Sequence, residues 1–174
     1  MTTGQRSEVR GQSVLVLSLV VALLSACAER PHPAQLEPPP VRADGIVAYL
    51  VAAPATLPNE YIVRAVTRRG VAIEDPGSFV VAVRLASPSV AFVADASDAQ
   101  AVRVMSTSDT ALRVAGAAPE GLASGELFAV RLRAARATDL NALRLEVTEL
   151  NDRSGVSLRS VLVVLTPVTW TSLR

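Results

Sequence analysis

Few side chains in this sequence could do chemistry, and their placement narrows what that chemistry is. Cys27 is the only thiol, so no intramolecular disulfide can form and its sulfur is free for attachment. His32 is the only histidine, set between Pro31 and Pro33, where no packing could hold it beside a serine as nucleophilic catalysis requires. Zinc needs a cluster of His and Cys ligands, and a lone member of each does not make one. Carboxylates remain. Glu146 and Glu149 stand three apart in a strand-like stretch, so they are expected on opposite faces. Glu74 with Asp75, and Asp95 with Asp98, read as solvated loop neighbours. Glu149, Asn151 and Asp152 could offer oxygens to calcium, but the loop is too short and sparse for that, and it reads as a polar turn. The sequence contains no lysine, so every one of its 17 basic residues is arginine and no phosphate-binding Gly-x-x-x-x-Gly-Lys motif exists. No catalytic group, cofactor or metal is therefore assigned, and the chain is read as a non-enzyme.

Seventeen basic against 16 acidic residues give a net charge of +1, and Arg6, Arg10 and Glu8 of the first segment account for that excess. With 3% aromatic residues, the basic patch and stacking rings of a nucleic-acid surface are missing. Arg131, Arg133 and Arg144 are expected on the outer face of paired strands with Glu146 beside them, as a docking surface for a protein or glycan or as a charged face that resists edge aggregation. Trp170, the only tryptophan, either stacks on a sugar or closes the core.

Three segments position these residues. Val14 to Leu24 is an apolar run broken only by Ser18. It is too short for a membrane-spanning helix of roughly 20 residues and suits the apolar region of a signal peptide over residues 1–26. Residues 27–44 carry five prolines and several charges, which deny them helix and sheet. An extended tether at ~3.1 Å per residue would hold the rest ~40–50 Å from whatever Cys27 is fixed to. Residues 45–174 change to short apolar runs divided by turns, enough for one domain burying about two-thirds of its unfolded surface. Strands are expected at Ile46–Ala53, Tyr61–Thr67, Ser78–Leu85, Val90–Ala94, Ala101–Met105, Thr110–Ala115, Glu126–Ala134, Ala142–Leu150 and Ser157–Thr166. Glu126–Ala134 alternates Phe128, Val130 and Leu132 against Arg131 and Arg133, the period of a half-buried strand. Val161 to Leu165 has no polar break, which predicts a strand covered on both faces. About nine short strands in this spacing make an all-β, antiparallel β-sandwich.

Leu24-Ser25-Ala26-Cys27 resembles the lipobox of bacterial lipoproteins. The resemblance implies cleavage before Cys27, a diacylglyceryl group on its sulfur, and a chain anchored to the cell-envelope membrane. Ala28 lacks the aspartate that commonly retains such proteins inside, so in a bacterium with an outer membrane the expected address is that membrane.

Phe79-Val80-Val81-Ala82-Val83-Arg84-Leu85 with Val90 to Ala94, Leu112 to Gly116 with Gly121 to Leu132, and Leu145 to Asp152 with Gly155 and Leu158 are similar to strand patterns of cohesin-like domains. The resemblance, over roughly Ser78 to Leu158, implies a nine-stranded jelly-roll that docks a dockerin-like protein or, as carbohydrate-binding modules do, a glycan. Ala86-Ser87 stands where the family usually has an aspartate, and residues 161–174 run past its usual end. The strand pattern also fits other sandwiches. A second functional reading is a structural accessory subunit of a larger envelope complex.

Overall fold

The computed structural model describes residues 40–85, 88–97, 101–166 and 168–171. The signal-like segment, Cys27, His32, most of the tether, Ala86-Ser87 and Asp98 lie outside them. No described helix is long and apolar enough to cross a membrane.

Two β-sheets form a sandwich, as the alternating patterns predict. In chain order the strands are β1 (Ile46–Pro54), β2 (Glu60–Arg69), β3 (Pro76–Arg84), β4 (Val90–Asp95), β5 (Val102–Thr107), β6 (Ala111–Ala117), β7 (Glu126–Ala134), β8 (Arg144–Asp152), β9 (Leu162–Val164) and β10 (Thr169–Trp170). One sheet has the order β10-β1-β2-β7-β4, with β9 also on β1; the other is β5-β6-β3-β8. β1 and β2 pair residue for residue from Ile46↔Arg69 to Pro54↔Tyr61. Asn59 (φ 61°) turns the chain between them, in a conformation asparagine tolerates better than most residues.

The core lies between the sheets. Ile46, Leu50, Val63, Phe128 and Leu132 from the first sheet meet Phe79, Leu112 and Leu150 from the second, all with no more than 2% of their surface exposed. Phe79 and Gly116 face each other across β3 and β6, and a Cβ on Gly116 would lie 2.4 Å from the ring. A glycine is what lets that ring lie flat on the neighbouring strand.

Bulges set the phase of several strands. In β7 Leu127 is an extra residue between Phe128, which pairs with Ala65, and Glu126, which pairs with Val66. Leu127 and Phe128 are consequently both buried. In β8 the pairing passes from Val81↔Val147 to Val80↔Glu149, so Thr148 is the extra residue and Leu150 turns inward three positions after Val147.

The C-terminal stretch departs from expectation. Ser157–Thr166 is not one strand: a 3-10 turn at Arg159–Val161 precedes β9, which is three residues long. β9 lies at the sheet edge with Val163 54% exposed, so it is not covered on both faces. An apolar run alone does not distinguish a central strand from a short edge strand. Both β9 and β10 run parallel to β1, at Ile46↔Leu162 through Ala48↔Val164 and then Val51↔Thr169 and Ala52↔Trp170. All other strand ladders are antiparallel.

Candidate functional site: the outer face of the four-stranded sheet

Because side chains alternate along a strand, the register assigns the outer face of β5-β6-β3-β8 directly. Across the sheet its rows read Val102, Ala117, Ser78, Asn151; then Val104, Ala115, Val80, Glu149; then Ser106, Arg113, Ala82, Glu146; and last Ala111, Arg84, Arg144. The first two rows are small or apolar on three of the four strands. Val102 is 78% exposed and Val104 72%, on the edge strand β5. The opposite corner is charged: the Arg84 Nε donates to a Glu146 carboxylate oxygen at 3.0 Å. That hydrogen bond, and then the charge of Glu146, raise the Arg84 pKa further above its ordinary value, so the guanidinium stays charged. Arg144 sits directly opposite Arg84 in the register and turns its Nη1 to the carbonyls of Asn141 (2.9 Å) and Leu143 (2.8 Å).

Arg131, Arg133 and Arg144 do not share a face. Arg131 and Arg133 belong to β7, whose partners are β2 and β4, whereas Arg144 and Glu146 belong to β8, paired with β3 in the other sheet. Alternation predicts which side of its own strand a residue takes, not which strands pair. On β7, Arg133 donates to Glu60 at 2.8 Å and Arg131 lies 3.9 Å from it. The Glu60 side chain is only 3% exposed, so these arginines are engaged with a buried carboxylate from β2. Sequence reading passed over Glu60 because it opens a strand beside Pro58 and Asn59 like any loop acid.

Trp170 is 6% exposed and belongs to the core, not to an exposed sugar-stacking surface. Its ring meets Tyr61 edge to face, with centroids 5.9 Å apart, and its Nε1 donates to Asn141 Oδ1 at 3.3 Å. Asn141 thus receives both Trp170 and Arg144, as Glu60 receives Arg131 and Arg133. The exposed large apolar side chains among the described residues are Leu57, Val71, Val93, Val102, Val104, Val156 and Val163, and none is aromatic.

The carboxylates also rearrange. Glu146 and Glu149 stand on the same outer face, opposite Ala82 and Val80, because the Thr148 bulge shifts the phase between them. The face is open sheet, and Glu146 is tied to Arg84. Asp75 pairs with Arg69 at 2.6 Å and Glu74 with Arg153 at 3.8 Å. The Asp152 carboxylate accepts the backbone N–H groups of Ser154 and Val156, and Gly155 takes φ 82°, so this loop is a turn closed on itself. Asp95 feels a burial that would raise its pKa, outweighed by hydrogen bonds from Ser97 and by Arg103, and the net shift is downward.

The site thus belongs to a two-sheet β-sandwich whose four-stranded sheet presents an outer face apolar at the β5 edge and charged at the β8 edge. No protein-family model matches the chain, and no curated protein matches it. Among solved structures it is similar to a non-cellulosomal cohesin from the hyperthermophilic archaeon Archaeoglobus fulgidus, at 17% identity over 75% of this chain and 91% of that one, with a TM-score of 0.49. It is similar also to the second type II cohesin module of the adaptor ScaA scaffoldin of Acetivibrio cellulolyticus, at 12% identity over 71% and 94%, with a TM-score of 0.47. The sixth cohesin of scaffoldin B from the same organism, solved in complex with a mutant Cel5 dockerin, gives 10% identity over 74% and 97%, with a TM-score of 0.49.

Proposed function

We propose that this chain is a lipid-anchored module of a bacterial cell envelope that docks a protein partner on the outer face of β5-β6-β3-β8 and does no chemistry itself. The observation that carries the docking reading is the pair Val102 and Val104, 78% and 72% exposed, continuous with Ala115, Ala117 and Val80. Contiguous exposed apolar patches, unlike scattered single residues, mark interaction sites as they grow beyond about a few hundred Å². A strip of small side chains suits a close-packed polypeptide surface. A glycan would want an aromatic platform, and Trp170 is in the core. The charged β8 edge gives such an interface a polar rim. The anchor rests on the lipobox-like Leu24-Ser25-Ala26-Cys27; two or more acyl chains hold a protein stably where one alone binds marginally.

The full chain and its Val104→Asp variant, each immobilised, are exposed to the envelope and secreted proteins of the source cell, with Leu57→Asp as a control on another exposed apolar residue. The reading expects one protein retained by the parent chain and by Leu57→Asp but lost by Val104→Asp. Equal retention by all three would refute it. For the anchor, Cys27→Ser is expected to abolish labelling by radioactive palmitate, and persistent labelling would refute lipidation at Cys27.

A further inference from the structure

Beside the apolar strip, at the turn joining β5 to β6, Arg84, Ser106, Ser108, Thr110, Ala111 and Arg113 line a pocket of about 260 Å³. Two guanidiniums and the hydroxyls of Ser106 and Thr110 can donate to a guest there, whereas the Ser108 Oγ donates to the Ala111 carbonyl at 3.2 Å and accepts from the Ala111 N–H at 3.1 Å. The Arg113 side chain makes no ion pair or hydrogen bond with the described residues and is exposed. Asp109, in the same turn, does not line the pocket.

The surrounding charge is arranged at a cost. Arg84 and Arg144 stand directly opposite each other in the β3–β8 register, and like charges so placed destabilise a sheet. Glu146 offsets one of them through its 3.0 Å bond to Arg84. Of the two guanidiniums that line the pocket, Arg84 is paired with Glu146 and only Arg113 is left without a carboxylate, one positive charge that a monoanion neutralises; Arg144 and Asp109, of opposite charge, do not line it. A carboxylate fits that balance, and its two oxygens match a guanidinium fork.

We infer that Arg84, Arg113 and the hydroxyls of Ser106 and Thr110 form an oxyanion pocket that receives an Asp or Glu side chain of the docking partner. This inference rests on the docking reading above. The partner surface would then present small or apolar residues over Val102 and Val104 and an acid at the β5–β6 turn. Glu146 competes with that acid for Arg84, so it weakens capture and sharpens selection for a partner carrying a full negative charge.

The test uses the full chain, labelled with nitrogen-15 and held in detergent, titrated with N-acetyl-glutamate methylamide and, as the neutral isostere, N-acetyl-glutamine methylamide. The glutamate probe is expected to shift the amides of residues 108–111 and the Arg113 side-chain N–H saturably, and the glutamine probe is not. Arg113→Gln is expected to weaken the glutamate probe about tenfold. Glu146→Gln is expected to tighten it severalfold, a gain that a merely structural Glu146 would not give. Equal response to both probes, no response, or indifference to both substitutions would overturn the pocket. Val104→Asp separates the two proposals. A silent pocket with partner retention still lost in Val104→Asp overturns the inference alone, whereas a responsive pocket with retention unchanged in Val104→Asp overturns the docking reading and with it the pocket's assignment to the partner.

Discussion

Replacing Trp170 with alanine should strongly destabilise this domain. The ring is 6% exposed, meets Tyr61 edge to face at 5.9 Å, and donates to Asn141 at 3.3 Å. Truncating a buried tryptophan costs about 3–5 kcal/mol in lost transfer and cavity terms. The edge-to-face contact contributes ~0.5–1.5 of that and the hydrogen bond ~1. β10 is two residues long and ends the sheet, so water can enter the space left behind, which places the cost near ~3 kcal/mol. In a domain of this size that lowers Tm by about 10–15 °C. Trp170→Phe keeps the packed ring and loses the Nε1 donor, so ~1 kcal/mol is expected. Urea unfolding followed by far-ultraviolet circular dichroism measures both, and in the parent chain the same transition is visible in the emission of its only tryptophan. A double-mutant cycle with Tyr61→Ala should return a coupling of ~0.5–1.5 kcal/mol. A Trp170→Ala chain within 0.5 kcal/mol of the parent would refute the core assignment and return the ring to the surface.

Three further outcomes are expected. Gly116→Ala places a methyl 2.4 Å from the buried Phe79 ring and should cost ~1–3 kcal/mol in the same unfolding assay; adding Phe79→Leu should recover part of it. Arg133→Ala leaves the buried Glu60 carboxylate without its hydrogen-bond donor and should cost ~2–4 kcal/mol, while Glu60→Ala leaves only arginines whose head groups reach solvent and should cost less; equal costs would refute the burial argument. Burial raises the pKa of Tyr49 above 10, against a smaller opposing effect of Arg68, so the fold favours the neutral phenol. Its contribution to stability is whole below pH 10 and is lost as pH rises through the higher folded value, so Tyr49→Phe should flatten the alkaline limb of a stability–pH curve.

The bounds of β7 and its alternation from Phe128 to Arg133 were legible in the sequence, because alternation is a local property, whereas the Leu127 bulge, set by β2, was not. Where a second strand decides the outcome, sequence reading failed. Thr148 is a bulge only because β3 spaces Val80 and Val81 as it does, and that one residue moved Glu149 onto the same face as Glu146. Assignment of Arg131 and Arg144 to different sheets is likewise a matter of pairing between distant segments. Val161–Leu165 looked central because valine and leucine suit a covered strand and an edge strand equally well. The β5 edge face was missed for a related reason: Val102 and Val104 alternate with Arg103 and Met105, and only the structure shows the valines outward.

The parallel seam along β1 gives the fold a mechanical character. The chain enters at Ile46 and the last described strand ends at Trp170, running in the same direction beside it. Tension between the two ends pulls these neighbours oppositely along their lengths. The bonds of β1 to β9 and β10 then bear load together in shear instead of opening singly like a zipper. A module hauled from both ends should therefore yield late and all at once, at a force governed by its unfolding rate and not by its equilibrium stability.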